Sequence, residues 1–245
     1  MPKDLIKKVD EFATELETAL GDNMVSYMLF GSLVRGGGRN VPRTLLVVRD
    51  AKPAALRKIE EHISKWAKKG FPPPLIFSER GWYDSADVFP IEIEDMREAH
   101  RVLRGTDPLD GVVTTQEDLR AELEREVRGK LLQLRTEFAA TASDGKALGS
   151  LLTESASTFF ILFRATLRLA GRVPPTDAAE LVMETANLAD LDGTAFDWIL
   201  GELADKKQPN LKPYDVIGDR YVEQIELLAH FVDSYEIKPD QGSGE

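Results

Sequence analysis

The stretch Leu29-Phe30-Gly31-Ser32-Leu33-Val34-Arg35-Gly36, followed shortly by Leu45-Leu46-Val47-Val48, decides how this chain is read. A hydrophobic run closes on Gly-Ser, passes through a loop carrying Arg35, Arg39 and Arg43, and reopens as a second hydrophobic run. Residues 24–30 and 44–49 are short and apolar, so each reads as a strand, the second buried on both faces. Gly31 to Pro42 form a loop or a short helical turn between them.

Upstream, Leu5, Ile6, Val9, Phe12, Leu16 and Leu20 recur at helical spacing, and Gly21-Asp22-Asn23 ends that helix. Downstream, residues 53–69 make a second amphipathic helix through Leu56, Ile59, Ile63 and Trp66, stopped by Gly70 and Pro72-Pro73-Pro74. Leu75-Ile76-Phe77-Ser78 reads as a third strand. Val88-Phe89-Pro90-Ile91-Glu92-Ile93 reads as a fourth, with Glu92 and Glu94 on one face by alternation.

From residue 97 the pattern becomes helical: a short helix over 97–104, a linker from Gly105 to Thr115, then helices near 116–141, 145–171, 177–189, 194–204 and 214–235. Phe159-Phe160-Ile161-Leu162-Phe163 is apolar nearly all round and belongs at the centre of a bundle. The class is therefore α+β. A small mixed-sheet domain over 1–106 precedes a helical bundle over 116–237, and the polar tail 238–245 is predicted to be disordered.

The hydrophobic–Gly-Ser–Gly/Arg–hydrophobic succession resembles the signature of the DNA polymerase β-like nucleotidyltransferases, and the helical half looks like the bundles that follow kanamycin-type domains. The resemblance implies a Gly-Ser turn that holds a phosphate, an Asp-x-Asp pair opening the second strand, and a third carboxylate from a later strand. Gly31 and Ser32 match the turn, and Arg35 and Gly36 match its continuation. The Asp-x-Asp positions fall on Arg43 and Leu45 or on Pro42 and Thr44, and neither register supplies a carboxylate. Glu92 is the best match for the third acid, as a relic of a lost metal site or as the solvated face of an edge strand.

Nucleotidyl transfer requires a metal clamp on the triphosphate, and Mg²⁺ takes oxygen ligands. Without the acid pair, no metal cofactor is expected. A nucleotide or phosphate ligand would then meet Gly31, Ser32, Arg35, Gly36, Arg39 and Arg43 directly, since guanidinium groups bind phosphate oxygens in a fork. On that reading Arg35 lies on an exposed loop and its removal leaves folding intact.

Bulk properties frame the alternatives. A net charge of -11 over 245 residues argues against bulk nucleic-acid binding, which rests on phosphate neutralisation. The absence of cysteine excludes disulfides and thiolate metal sites. No run is long and apolar enough for a membrane span, and the opening Met-Pro-Lys-Asp-Leu-Ile-Lys-Lys reads as a helix start rather than a signal peptide, which makes the cytoplasm the expected compartment. The three histidines, His62, His100 and His230, have no ligand spacing.

Three functions fit. The first is a degenerate nucleotidyltransferase-like protein that keeps phosphate binding at the turn without metal-dependent transfer. A second is a non-catalytic interaction or scaffold protein whose bundle pairs as a homodimer or docks a protein partner. The third is an active transferase with relocated Mg²⁺ ligands drawn from Glu92, Glu94, Asp50 and Asp87.

Overall fold

Met24–Phe30 is apolar on both sides because both sides are covered, and that places it in the middle of the fold. The computed structural model describes residues 2–36, 41–205 and 209–237; Arg39 and the tail 238–245 lie outside these. The chain divides into two compact units, residues 1–114 and 115–245.

The first unit runs α1 (Pro2–Leu20), β1 (Met24–Phe30), α2 (Ser32–Arg35), β2 (Arg43–Val48), α3 (Pro53–Leu56) and, after a 3₁₀ turn at Arg57–Ile59, α4 (Glu60–Lys68). It continues through β3 (Leu75–Ser78), α5 (Glu79–Tyr83), α6 (Pro90–Glu98) and β4 (His100–Gly105). The sheet order is β3-β2-β1-β4. β1 is antiparallel to both β2 and β4, whereas β2 and β3 run parallel across the helical crossover.

One sheet face carries Tyr27, Leu29, Leu46 and Val48 against Val9, Phe12 and Leu16 of α1 and Trp66 of α4. Phe12 stacks on Trp66 with ring centroids 4.4 Å apart. The other face carries Met28, Phe30, Leu45 and Val47 against Trp82, Ile93, Met96, Leu109 and Val112. Trp82 satisfies its indole N–H on Pro108 O at 2.5 Å.

Three local expectations are corrected. Residues 88–93 are not a strand: Pro90 opens α6, a position where its missing N–H costs nothing, and the Ile-Glu-Ile-Glu alternation only mimics a two-residue period. Residues 97–104 are not a helix throughout, because His100–Gly105 forms β4, an edge strand so rich in charge that its period is hidden. The helix expected over 53–69 is interrupted by the Arg57–Ile59 turn.

The second unit is helical: α7 (Gln116–Thr141), α8 (Gly145–Leu169), α9 (Ala178–Ala189), α10 (Thr194–Asp205) and α11 (Val216–Ser234). α7 packs along both α8 and α11. Thr115, Asp144, Asp177 and Asp215 each cap a helix N-terminus by accepting backbone N–H bonds. Phe159, Phe163, Phe196 and Tyr221 meet edge to face in the core, as the apolar run at 159–163 predicts. No helix among the described residues is long and apolar enough to cross a membrane.

Candidate functional site

The Gly-Ser turn joins β1 to α2. Gly31 takes φ +81°, a backbone region that side chains with a Cβ rarely enter, which explains glycine at this position. Its N–H donates to Ala99 O at 2.9 Å, so the turn is tied to the junction of α6 and β4. Gly36 closes α2, its N–H donating to Ser32 O. Ser32 is half-buried.

β2 begins beside this turn, with Arg43 opposite Phe30 in the antiparallel register. A Cβ built on Gly31 would stand 3.8 Å from Arg43 Cδ, so the Arg43 stem lies along the turn. Its guanidinium carbon sits 4.8 Å from the Phe30 ring centroid, a cation–π contact. The next two residues are inaccessible: Thr44 is 2% and Leu45 0% exposed. They face the two sheet cores in turn.

α6 supplies the carboxylates at the turn. Arg35 Nη2 donates to Asp95 Oδ1 at 2.6 Å and to Asp95 O at 3.0 Å, and its Nε donates to Glu98 Oε1 at 3.3 Å. The side chains of Arg35 and Asp95 are 11% and 4% exposed. Arg43 Nη1 stands 3.8 Å from Asp95 Oδ2 and its side chain is 39% exposed.

These facts overturn the exposed-loop reading of Arg35, which pins α2 to α6. They also show what the strand reading of 88–93 concealed. Asp95 and Glu98 lie one helical turn apart on α6, a spacing that becomes legible once Pro90 is read as a helix start.

The other predicted acids do not assemble. Glu92 stands in the first turn of a helix rather than on a strand, with Oε2 buried and lacking a hydrogen-bond partner. Glu94 binds Arg97 at 3.1 Å and Thr114 at 2.7 Å. Asp50 lies at the opposite end of β2 from the turn, its backbone N–H and C=O both bonded to the Asn23 side chain. Among the described residues no group of three or more His, Asp or Glu side chains is placed to hold a metal.

His100, predicted in a helix, opens β4 instead. Its two ring nitrogens lie 3.0 Å from Met96 O and 2.9 Å from Asp107 Oδ2. Burial alone would raise the Asp107 carboxyl. The Leu109 N–H, the His100 ring and the Arg97 charge outweigh burial and hold it below its usual range.

No protein-family model matches this sequence, and no curated protein matches it. Among solved structures the fold is similar to that of spectinomycin adenyltransferase AAD(9) from Enterococcus faecialis, a crystal structure with ATP and spectinomycin. The TM-score is 0.56, with 12% sequence identity over 91% of this chain and 99% of that one. The chain has a nucleotidyltransferase-like fold. At this identity the likeness extends to the fold alone. At the start of β2 this chain carries Arg43, Thr44 and Leu45, none of them a carboxylate.

Proposed function

We propose that this chain is a degenerate nucleotidyltransferase-like protein that binds nucleotide phosphate at the Gly31-Ser32 turn without metal and does not transfer nucleotidyl groups. One observation carries this reading. The start of β2 brings a half-exposed guanidinium, Arg43, against the turn, followed by two fully buried positions that carry no carboxylate. A cation replaces the acid that would attract a cation.

Gly31 N–H serves Ala99 and Arg35 serves α6, so the leading phosphate contact assigned here is Arg43, with Ser32 assigned by its place in the turn. Arg39, which lies outside the described residues, joins them as a sequence expectation. The similar adenyltransferase was solved with ATP, which makes ATP the first ligand to test.

The test is incubation with labelled ATP, Mg²⁺ and spectinomycin, alongside equilibrium binding of ATP in a chelator. Binding without transfer is the expected result. Label transfer to spectinomycin or to the protein would overturn the proposal, as would ATP binding that requires Mg²⁺.

A further inference from the structure

Beside the Gly31-Ser32 turn, one buried carboxylate faces two guanidinium groups that are held very differently. Arg35 is enclosed and makes a 2.6 Å charge-assisted bond to Asp95 Oδ1, with its Nε on Glu98. Arg43 stands 3.8 Å from Asp95 Oδ2, beyond hydrogen-bond reach, and rests on the Phe30 ring. Both contacts of Arg43 are soft, and more than a third of its side chain meets solvent.

Resting on the nucleotide-binding reading above, we propose that Asp95 is a built-in competitor for the ligand. It fixes Arg35 as the structural pivot between α2 and α6, and it parks Arg43 against itself and Phe30. The polyphosphate tail of a nucleoside triphosphate binds by drawing Arg43 off Asp95. Several adjacent phosphate oxygens offer a guanidinium fork the bidentate geometry that Asp95 Oδ2 does not reach. Arg35 stays in place because its bonds to Asp95 and Glu98 hold the turn together. The site is therefore set for weak binding by a charge inside the fold.

Two metal-free experiments test this. ATP and inorganic tripolyphosphate are titrated into wild type, Asp95→Asn and Arg43→Ala. Separately, the arginine Nε resonances of ¹⁵N-labelled wild type are followed during the ATP titration, with Arg43 assigned by its loss in Arg43→Ala. Asp95→Asn is expected to bind both ligands about threefold to tenfold tighter, and Arg43→Ala about tenfold weaker. The Arg43 resonance is expected to move while that of Arg35 stays.

A folded Asp95→Asn with unchanged affinity overturns the competitor role, and so does movement of Arg35 without Arg43. If Asp95→Asn does not fold, the resonances in wild type decide alone. ATP binding with inert tripolyphosphate overturns the assignment to the polyphosphate tail. Absence of ATP binding in both wild type and Asp95→Asn refutes the nucleotide-binding reading itself, whereas wild-type binding with an unmoved Arg43 refutes the competitor role alone.

Discussion

Arg35 anchors α2 by placing its guanidinium on Asp95 and Glu98, so replacing it leaves a carboxylate of 4% side-chain exposure without its 2.6 Å cation. Breaking one half of a buried pair costs about 3–5 kcal/mol. Arg35→Ala is therefore expected to lower unfolding free energy by about 3 kcal/mol in urea denaturation, and an unchanged midpoint would contradict the latch. The same scale governs attempts to restore the missing acids. Thr44→Asp or Leu45→Asp would bury an ionised carboxylate in an apolar core, which is strongly unfavourable without a partner. Both variants are expected to melt well below wild type with or without Mg²⁺, and a Mg²⁺-dependent rise in Tm would contradict the packing. At this scale the turn between two strands was legible, because Gly-Ser stands between two hydrophobic runs, but two registers stayed open at the start of the second. Asp95 and Glu98 were not, since their partnership spans some sixty residues and depends on the helix they share.

The order of elements tracked hydrophobic period wherever one face was clearly apolar. α1 and helices α7 to α11 follow their apolar stripes, and Asp and Thr caps mark the starts of α7, α8, α9 and α11. α6 and β4 escaped because each lacks a clean period: α6 interleaves Ile and Glu, and β4 carries His100, Arg101 and Arg104 among three apolar or small residues. What positions β4 is backbone geometry. Gly105 has φ +73°, and a Cβ there would fall 1.9 Å from Val25 O. Gly105→Ala must therefore separate β4 from β1 or distort the chain, and a loss of at least about 3 kcal/mol is expected from both strain and lost pairing. An undiminished Tm would refute that close approach.

Ion pairs tie α7 to α11 in the second unit. Arg135 Nη2 binds Glu226 at 2.6 Å and Arg128 Nη2 binds Asp233 at 3.0 Å. The hydrogen bond from Arg135 holds Glu226 below its usual carboxylate range, and that from Arg128 does the same for Asp233. A depressed folded-state pKa contributes stability above the unfolded value, about 4, and loses it as pH falls through the folded value. The Tm gap between wild type and Arg135→Gln should hold from pH 7 to about pH 5 and close below about pH 4. The gap should also be small and salt-sensitive, because the pair is exposed. A gap that persists unchanged at pH 3 would exclude the charge contribution.

For the whole molecule, strands read early and helices read late already gave the α+β class, and the four-stranded mixed sheet followed by helices α7 to α11 matches that class, with the fourth strand at His100–Gly105 rather than at 88–93. The proposed function is that this fold binds nucleotide through Ser32 and Arg43 with no role for a divalent ion. Isothermal titration of ATP into the full chain, once in excess chelator and once in excess Mg²⁺, tests this most directly. Binding in the chelator is expected, with an affinity that Mg²⁺ leaves equal or weakens by screening the phosphates from Arg43. Binding seen only with Mg²⁺, or no binding in either condition, would contradict it.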